Sequence, residues 1–272
     1  MKAPNGRPGG QRGFSLMEMM TALVIFLLIS AVAFSLLGVA QKRYATESEV
    51  LNAFQEARLG LDQIVRDVND AGYPPRNQFT FGLATPPANI YASSPVAWTP
   101  NYPSTPCQVG ITCGITPTGT DIIIETYVSA QGCPNNGVSW IRYQLVGTTL
   151  NRGITCKSST DPDAATSAAG IMAPYVQNVM NNASAAQIAQ FQTYYPSMFP
   201  SGAPVPIFTY ICDTQSGLAQ DCSTASATDN SPRNVRAVGI TLIVMAPVPD
   251  AQTGAPRLVE LNGRGRRVNP NQ

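Results

Sequence analysis

The 272 residues carry 17 Lys and Arg against 16 Asp and Glu, a net charge of +1, so no overall field points to nucleic acid or an acidic substrate. Histidine is absent, which excludes Ser-His-Asp and Cys-His catalysis and any His-ligated metal site. Charged residues make up 12% of the chain, against about 25% for an average soluble domain, and the polar, Gly and Pro residues that replace them suit a loop-rich extracytoplasmic protein.

The N-terminal stretch is the most informative. Residues 1–13 hold Lys2, Arg7 and Arg12 and no acid, as in a leader retained on the cytoplasmic side by its positive charge. Residues 19–40 contain no charge and meet the length of roughly 20 apolar residues needed to cross a bilayer as a helix. A secretory signal peptide has a shorter apolar core and a small-residue cleavage site beyond it. An ordinary signal anchor is the remaining plain reading. Glu18 stands where the apolar run begins, and a carboxylate there is costly unless it has a role.

Arg12-Gly13-Phe14-Ser15-Leu16-Met17-Glu18, followed by the apolar run, resembles the class III signal of type IV pilins and type II secretion pseudopilins. The resemblance implies cleavage after Gly13 by a prepilin peptidase and methylation of the new N-terminal Phe14. It implies that Glu18 pairs with the N-terminal amine of a neighbouring subunit during assembly. A cation and an anion that must both enter lipid lose much of their burial penalty by meeting.

The helix is expected to continue past the membrane. Residues 41–71 lack proline, and Leu51, Phe54, Ala57, Leu61, Ile64 and Val68 recur at steps of three and four on one face. Arg58, Asp62, Arg66 and Asp70 form a ladder of alternating charge on another face. Gly38 and Gly60 are candidate bends, and Gly72-Tyr73-Pro74-Pro75 is a stop. The stretch from Leu59 to Tyr73 is similar to the helix ending of PilW-type minor pilins and J-type pseudopilins, with its Arg66-Asp67 pair and Ala71-Gly72-Tyr73. Its charges are read as a solvated face.

Beyond the helix, residues 74–120 read as a long connection. Strands are expected at 121–128, 139–146 and 149–154, the last two joined as a hairpin at Gly147-Thr148. The phrase from Trp140 to Gly153 is again similar to the family's head. A helix or loop is expected from Asp161 to about Asn182 and a further helical segment at 183–195. Strands follow at 206–212, 234–246 and 256–261, with a polar loop at 213–231. The family runs a segment like Val176–Val179 closely into one like Phe208–Tyr210, whereas about thirty residues intervene here.

Six cysteines, Cys107, Cys113, Cys133, Cys156, Cys212 and Cys222, all lie beyond the apolar run, which reads as disulfides formed in an oxidising compartment. Six cysteines allow 15 connectivities. Local pairing, Cys107 with Cys113, Cys133 with Cys156 and Cys212 with Cys222, would bracket turn-rich segments. Asp161, Asp163, Asp213, Asp221 and Asp229 are loop acids without the spacing of a calcium loop. Arg257, Arg264, Arg266 and Arg267 read as a solvated basic tail without the interleaved aromatics of a nucleic-acid groove. Trp98 and Trp140 read as core or loop anchors.

The expected fold is α+β, a long N-terminal helix whose outer half lies against one antiparallel sheet in a disulfide-clipped head. The expected organisation is a leader at 1–13, a membrane and assembly helix at 14–40, the periplasmic half of the helix at 41–73, and a head at 74–272. The expected function is that of a non-enzymatic minor pilin in the initiation or tip complex of a type IV pilus. Its partners would be the prepilin peptidase, other pilins through the helix, and the inner membrane, with the head in the periplasm and later on the pilus or cell surface. No cofactor, metal or nucleic acid is expected. A J-type pseudopilin of type II secretion is the alternative, and a pilus-tip adhesin or DNA-uptake protein is an alternative of another class.

Overall fold

In the computed structural model, the residues described are 13–79, 86–96, 108–109, 119–157, 171–226, 228–250 and 254–268. One helix, α1 (Leu16–Asn69), is unbroken over 54 residues. By compactness the chain divides into two units, Met1–Ser48 and Glu49–Gln272.

In the first unit every large apolar side chain from Leu16 to Val39 is exposed. The helix is long and apolar enough to cross a membrane. Gly38, read as a candidate bend, lies within the continuous helix.

Among its described residues the second unit is built on the last five turns or so of α1 and eight strands. The first sheet holds β1 (Asp121–Thr126), β2 (Ser139–Val146), β3 (Thr149–Cys156) and β4 (Ala173–Val176), antiparallel in the order β1-β2-β3-β4. β2 and β3 form a hairpin with Val146 opposite Thr149. Gly147 supplies its positive φ of 60° at no steric cost. The second sheet holds β5 (Phe208–Asp213), β6 (Ala219–Asp221), β7 (Val235–Met245) and β8 (Leu258–Arg266), in the order β6-β5-β7-β8. Between the sheets in sequence lies α2 (Ala185–Tyr194), started by a Ser184/Gln187 capping box.

Among the described residues the head therefore has two four-stranded sheets where one was expected. β4 ends the first sheet, and the chain then spends about thirty residues on α2 and its flanks before β5. The isolated bridge between Val179 and Val244 marks where the chain passes from one sheet to the other. Two further expectations change. β4 lies in the stretch read as helix or loop, and β6 with a short 3-10 turn (Cys222–Thr224) lies in the stretch read as polar loop.

A single apolar core joins both sheets to the helix. Ala57, Leu61, Ile64 and Val68 of α1 pack with Ile122, Ile124, Ile141 and Leu150 of the first sheet and with Phe208, Val238, Ile240 and Leu242 of the second. Each fully buried aliphatic side chain of this kind contributes about 1.5–3 kcal/mol. Leu51, predicted on this face, is 58% exposed, and Val50 is buried instead. Gly60 is needed for close approach, since a Cβ there would collide with Val176 Cγ2. A smaller cluster around Ile188, Phe191 and Phe199 seats α2 on Ile243 and Leu258.

The structure pairs Cys133 with Cys156 and Cys212 with Cys222. Cys107, Cys113, Trp98, Asp161 and Asp163 lie outside the described residues.

Candidate functional site

The N-terminal site starts from two polar residues at the head of an apolar helix. Gly13, Phe14 and Ser15 precede α1 and are exposed. Ser15 Oγ accepts the Glu18 N–H at 3.2 Å, and Glu18 Oε2 accepts the Ser15 N–H at 3.0 Å. This is a reciprocal capping box, in which two backbone donors that the helix leaves unpaired are satisfied by side chains. The Ser-x-x-Glu spacing before an apolar run is its sequence signal. The role of Ser15 was legible there and went unread. Thr21 Oγ1 follows with bonds to the carbonyls of Met17 and Glu18 at 3.1 and 3.0 Å, so the polar groups of the first turns turn back on the helix. From Gly13 to Gln41, Glu18 is the only charged side chain.

Two facts about this segment combine. Its apolar side chains are exposed along the whole run, an area that a soluble monomer does not leave open. Its single acid sits at the start, where the positive end of the helix dipole favours an anion. The family model described as the prokaryotic N-terminal methylation motif matches residues 9–34. This is a prepilin-type signal. It supports the type IV pilin and pseudopilin family, whose members are structural rather than enzymatic. It implies processing by a prepilin peptidase and assembly with other pilins. The match spans Gly13, Phe14 and Glu18 and stops at Phe34, so it says nothing of the head. No curated protein matches the chain.

The second unit contains two polar sites that sequence reasoning missed. In the first, Asp67 of α1 is buried rather than solvated. Its carboxylate accepts from the Tyr143 hydroxyl at 2.6 Å, from Arg152 at 2.9 Å and from Gln63 at 2.8 Å. Arg152 lies over the rings of Tyr143 and Tyr175, 5.6 and 5.9 Å from their centroids. Burial pushes the Tyr143 phenol well above its ordinary value, and the Asp67 charge pushes it further. Burial would lower the Arg152 pKa, but Tyr143 and Asp67 outweigh it and hold the guanidinium above its usual range. The available signal was position, because Asp67 is in step with Gly60 and Ile64 on the inward face. Asp70 is exposed, and its pKa is raised by partial burial and by Asp67.

The second missed site is a fully buried ion pair between Lys157 and Glu125, 3.0 Å apart. Glu125 also accepts from Trp140 Nε1 at 3.0 Å and from the Ser93 N–H at 2.7 Å, and Lys157 donates to Ser93 Oγ and the Tyr91 carbonyl. Every oxygen and proton is used, as burial of a charge requires. The pair ties residues 91–94 of the long connection to the first sheet. The end of α1 is fixed beside it, with Gly72 N–H donating to the Glu125 carbonyl and Thr126 Oγ1 to that of Asp70.

The remaining candidates are structural in this arrangement. Asp213 pairs with Arg236, Asp221 caps Ser223, and Asp229 accepts from Gln215 and Ser226. Among the described residues, no three metal-ligating side chains converge. The arginines read as a solvated tail are not one. Arg264 and Arg266 are in β8, Arg257 pairs with Asp250, and buried Arg267 donates to the carbonyls of Arg233 and Val235. The reason is β8 itself, nine residues in register with β7 from Leu258 to Arg266. Gly263 and Gly265 let that strand lie against Leu61, Val65 and Val68 of α1, where a Cβ would not fit.

Proposed function

We propose that the chain is a minor pilin, made as a precursor, cleaved between Gly13 and Phe14 and methylated on Phe14. It enters a type IV pilus through the apolar part of α1. In this reading α1 crosses the inner membrane, the head lies in the periplasm before assembly, and the protein later reaches the pilus or cell surface. The observation that carries the reading is the exposed apolar helix headed by Ser15 and Glu18 within a matched methylation motif. Glu18 is then the counter-charge for the amine of a neighbouring subunit, since both groups enter lipid at less cost together than apart.

A place in the initiation or tip complex follows from bulk. A head with two sheets and a long connection would crowd the regular shaft of a filament. A J-type pseudopilin would use the same processing and the same helix, and the two are separated by which assembly the mature chain co-purifies with.

The test is intact and N-terminal mass analysis of the protein made together with a prepilin peptidase. A chain beginning at Phe14 and carrying one added methyl is the expected result. A chain beginning upstream of Phe14 in the presence of active peptidase overturns the reading.

A further inference from the structure

The last strand leaves one edge of the second sheet open. β8 pairs with β7 over nine residues without a bulge, and no strand pairs with its other side among the described residues. The bonds from Ala246 N–H to the Arg257 carbonyl and from Arg267 N–H to the Arg236 carbonyl set the alternation. Odd-numbered residues of β8 turn their backbone groups to β7, and even-numbered residues turn theirs outward. At the two ends the outward donors are taken up, the Leu258 N–H by the Tyr195 hydroxyl and the Arg266 N–H by Asn69 Oδ1. Between them the N–H and carbonyl groups of Glu260, Asn262 and Arg264 have no partner among the described residues. Such a ladder accepts another strand unless charge, proline or a covering element prevents it. No proline or lysine stands in β8, and these three residues are exposed. Gly263 and Gly265 face α1, so Glu260, Asn262 and Arg264 project from the opposite face.

We propose that this edge pairs with the same edge of a second copy of the chain. Two β8 strands related by a two-fold axis at Asn262 run antiparallel and put Glu260 of each opposite Arg264 of the other. An antiparallel strand suited to this edge needs an acid, an amide and a base at alternate positions. Glu260-Leu261-Asn262-Gly263-Arg264 has that order itself. The edge is thus complementary to itself, as a two-fold contact requires, and opposite charges directly across a strand pair attract. Thr241 Oγ1 donates to Asn262 Oδ1 and Asn262 Nδ2 to Glu260, which holds the acid in place. A shifted register that set Glu260 opposite Arg266 is closed off by Asn69. α1 meets β8 through Leu61 and Val65 at Gly263 and through Val65 and Val68 at Gly265, so the two run in one sense. The two-fold reverses residues 49–69 of α1 between the copies. Subunits of one filament share one sense, so on the proposed pilin reading the contact joins the heads of two filaments.

The test uses the full-length chain in detergent micelles, with Glu260→Lys and Arg264→Glu as separate variants and as an equimolar mixture. Both positions are exposed, so neither change should alter the unfolding of the head. Sedimentation should show the wild type in a concentration-dependent dimer. Each variant alone sets like charges opposite one another and should weaken that dimer about ten-fold. The mixture restores both opposite-charge pairs in a mixed dimer and should return it to wild-type strength. A monomeric wild type overturns the proposal. So does a dimer that neither substitution weakens, which would lie in the apolar part of α1, and so does a mixture no stronger than the variants. For the contact between filaments, phosphatidylcholine vesicles carrying the wild type should cluster. Vesicles carrying one variant should not, and the two variant populations should cluster when mixed. Pairing in micelles without clustering of vesicles overturns the joining of separate assemblies. None of these readouts needs leader removal, so failure of processing at Gly13–Phe14, which mass analysis reports, is distinguishable from failure of the pairing.

Discussion

The two parts of α1 put an acid to opposite uses. Near the start, Glu18 is exposed, and its bond within the chain is to the cap at Ser15. Near the end, Asp67 is buried and held by Arg152, Tyr143 and Gln63. The same helix thus carries one carboxylate buried among its partners and one exposed at a capped helix start, which the proposed assembly would pair with another molecule. Glycine divides in the same way. A Cβ at Gly38 would meet nothing within 4 Å, while at Gly60 it would run into Val176. One part of the helix is exposed along its length, the part the proposed assembly uses, and the other is packed against its own head.

Substitutions along the helix should separate these roles. The largest effect is expected from Glu18→Ala, which should remove the chain from sheared filaments while leaving its denaturant unfolding unchanged. Normal incorporation would break the contrast. Next comes Asp67→Ala, which leaves Arg152 without its anion and should cost the head about 3 kcal/mol. The loss is read from urea unfolding of the purified chain, with membrane insertion unaffected. Gly60→Ala should cost about 1–2 kcal/mol in the same measurement, because the clash with Val176 exceeds the gain in helix propensity.

A pH profile sharpens the account of Asp67. Tyr143 has its pKa raised by burial and then by Asp67, so the folded state keeps a proton that the unfolded chain releases near the ordinary tyrosine value of 10.0. Stability from this group is fully present below pH 10 and is lost as pH rises above it. Tyr143→Phe should therefore flatten the alkaline limb of the stability curve. A residual slope should remain from Tyr175, which burial shifts in the same direction. An unchanged limb would mean that Tyr143 is not the group protected by burial. The smallest effect should come from Gly38→Ala, which touches nothing and should leave head unfolding within about 0.5 kcal/mol of the original.

Much of this was readable in advance because the signals are local. The charge-free run, the stop at Gly72 and the alternation in β2 each depend on neighbours a few residues apart. β2 was placed at the same limits from sequence, and α1 stops within two residues of its expected end. The capping box was equally local and was missed only because Glu18 was read for its charge alone. Other features had no local signature. Nothing near Glu125 in the sequence announces Lys157, 32 residues away. Arg152 is 85 residues from Asp67, and an Arg-Asp pair at a helix end reads as solvated until its partner is known. The C-terminal arginines read as a solvated tail from their place at the end of the chain and their lack of interleaved aromatics, whereas Gly263 and Gly265 allow the strand that carries Arg264 and Arg266 to lie against α1.

By itself, the sequence determined the apolar helix, its capped start and the strand and turn periods, since spacing along one chain decides what a segment can do with its own backbone. The tertiary structure decided which acids are satisfied, how the strands divide into two sheets and which glycines are contact points. Those outcomes depend on groups brought together from distant positions, where the cost of a buried charge is set by its partners.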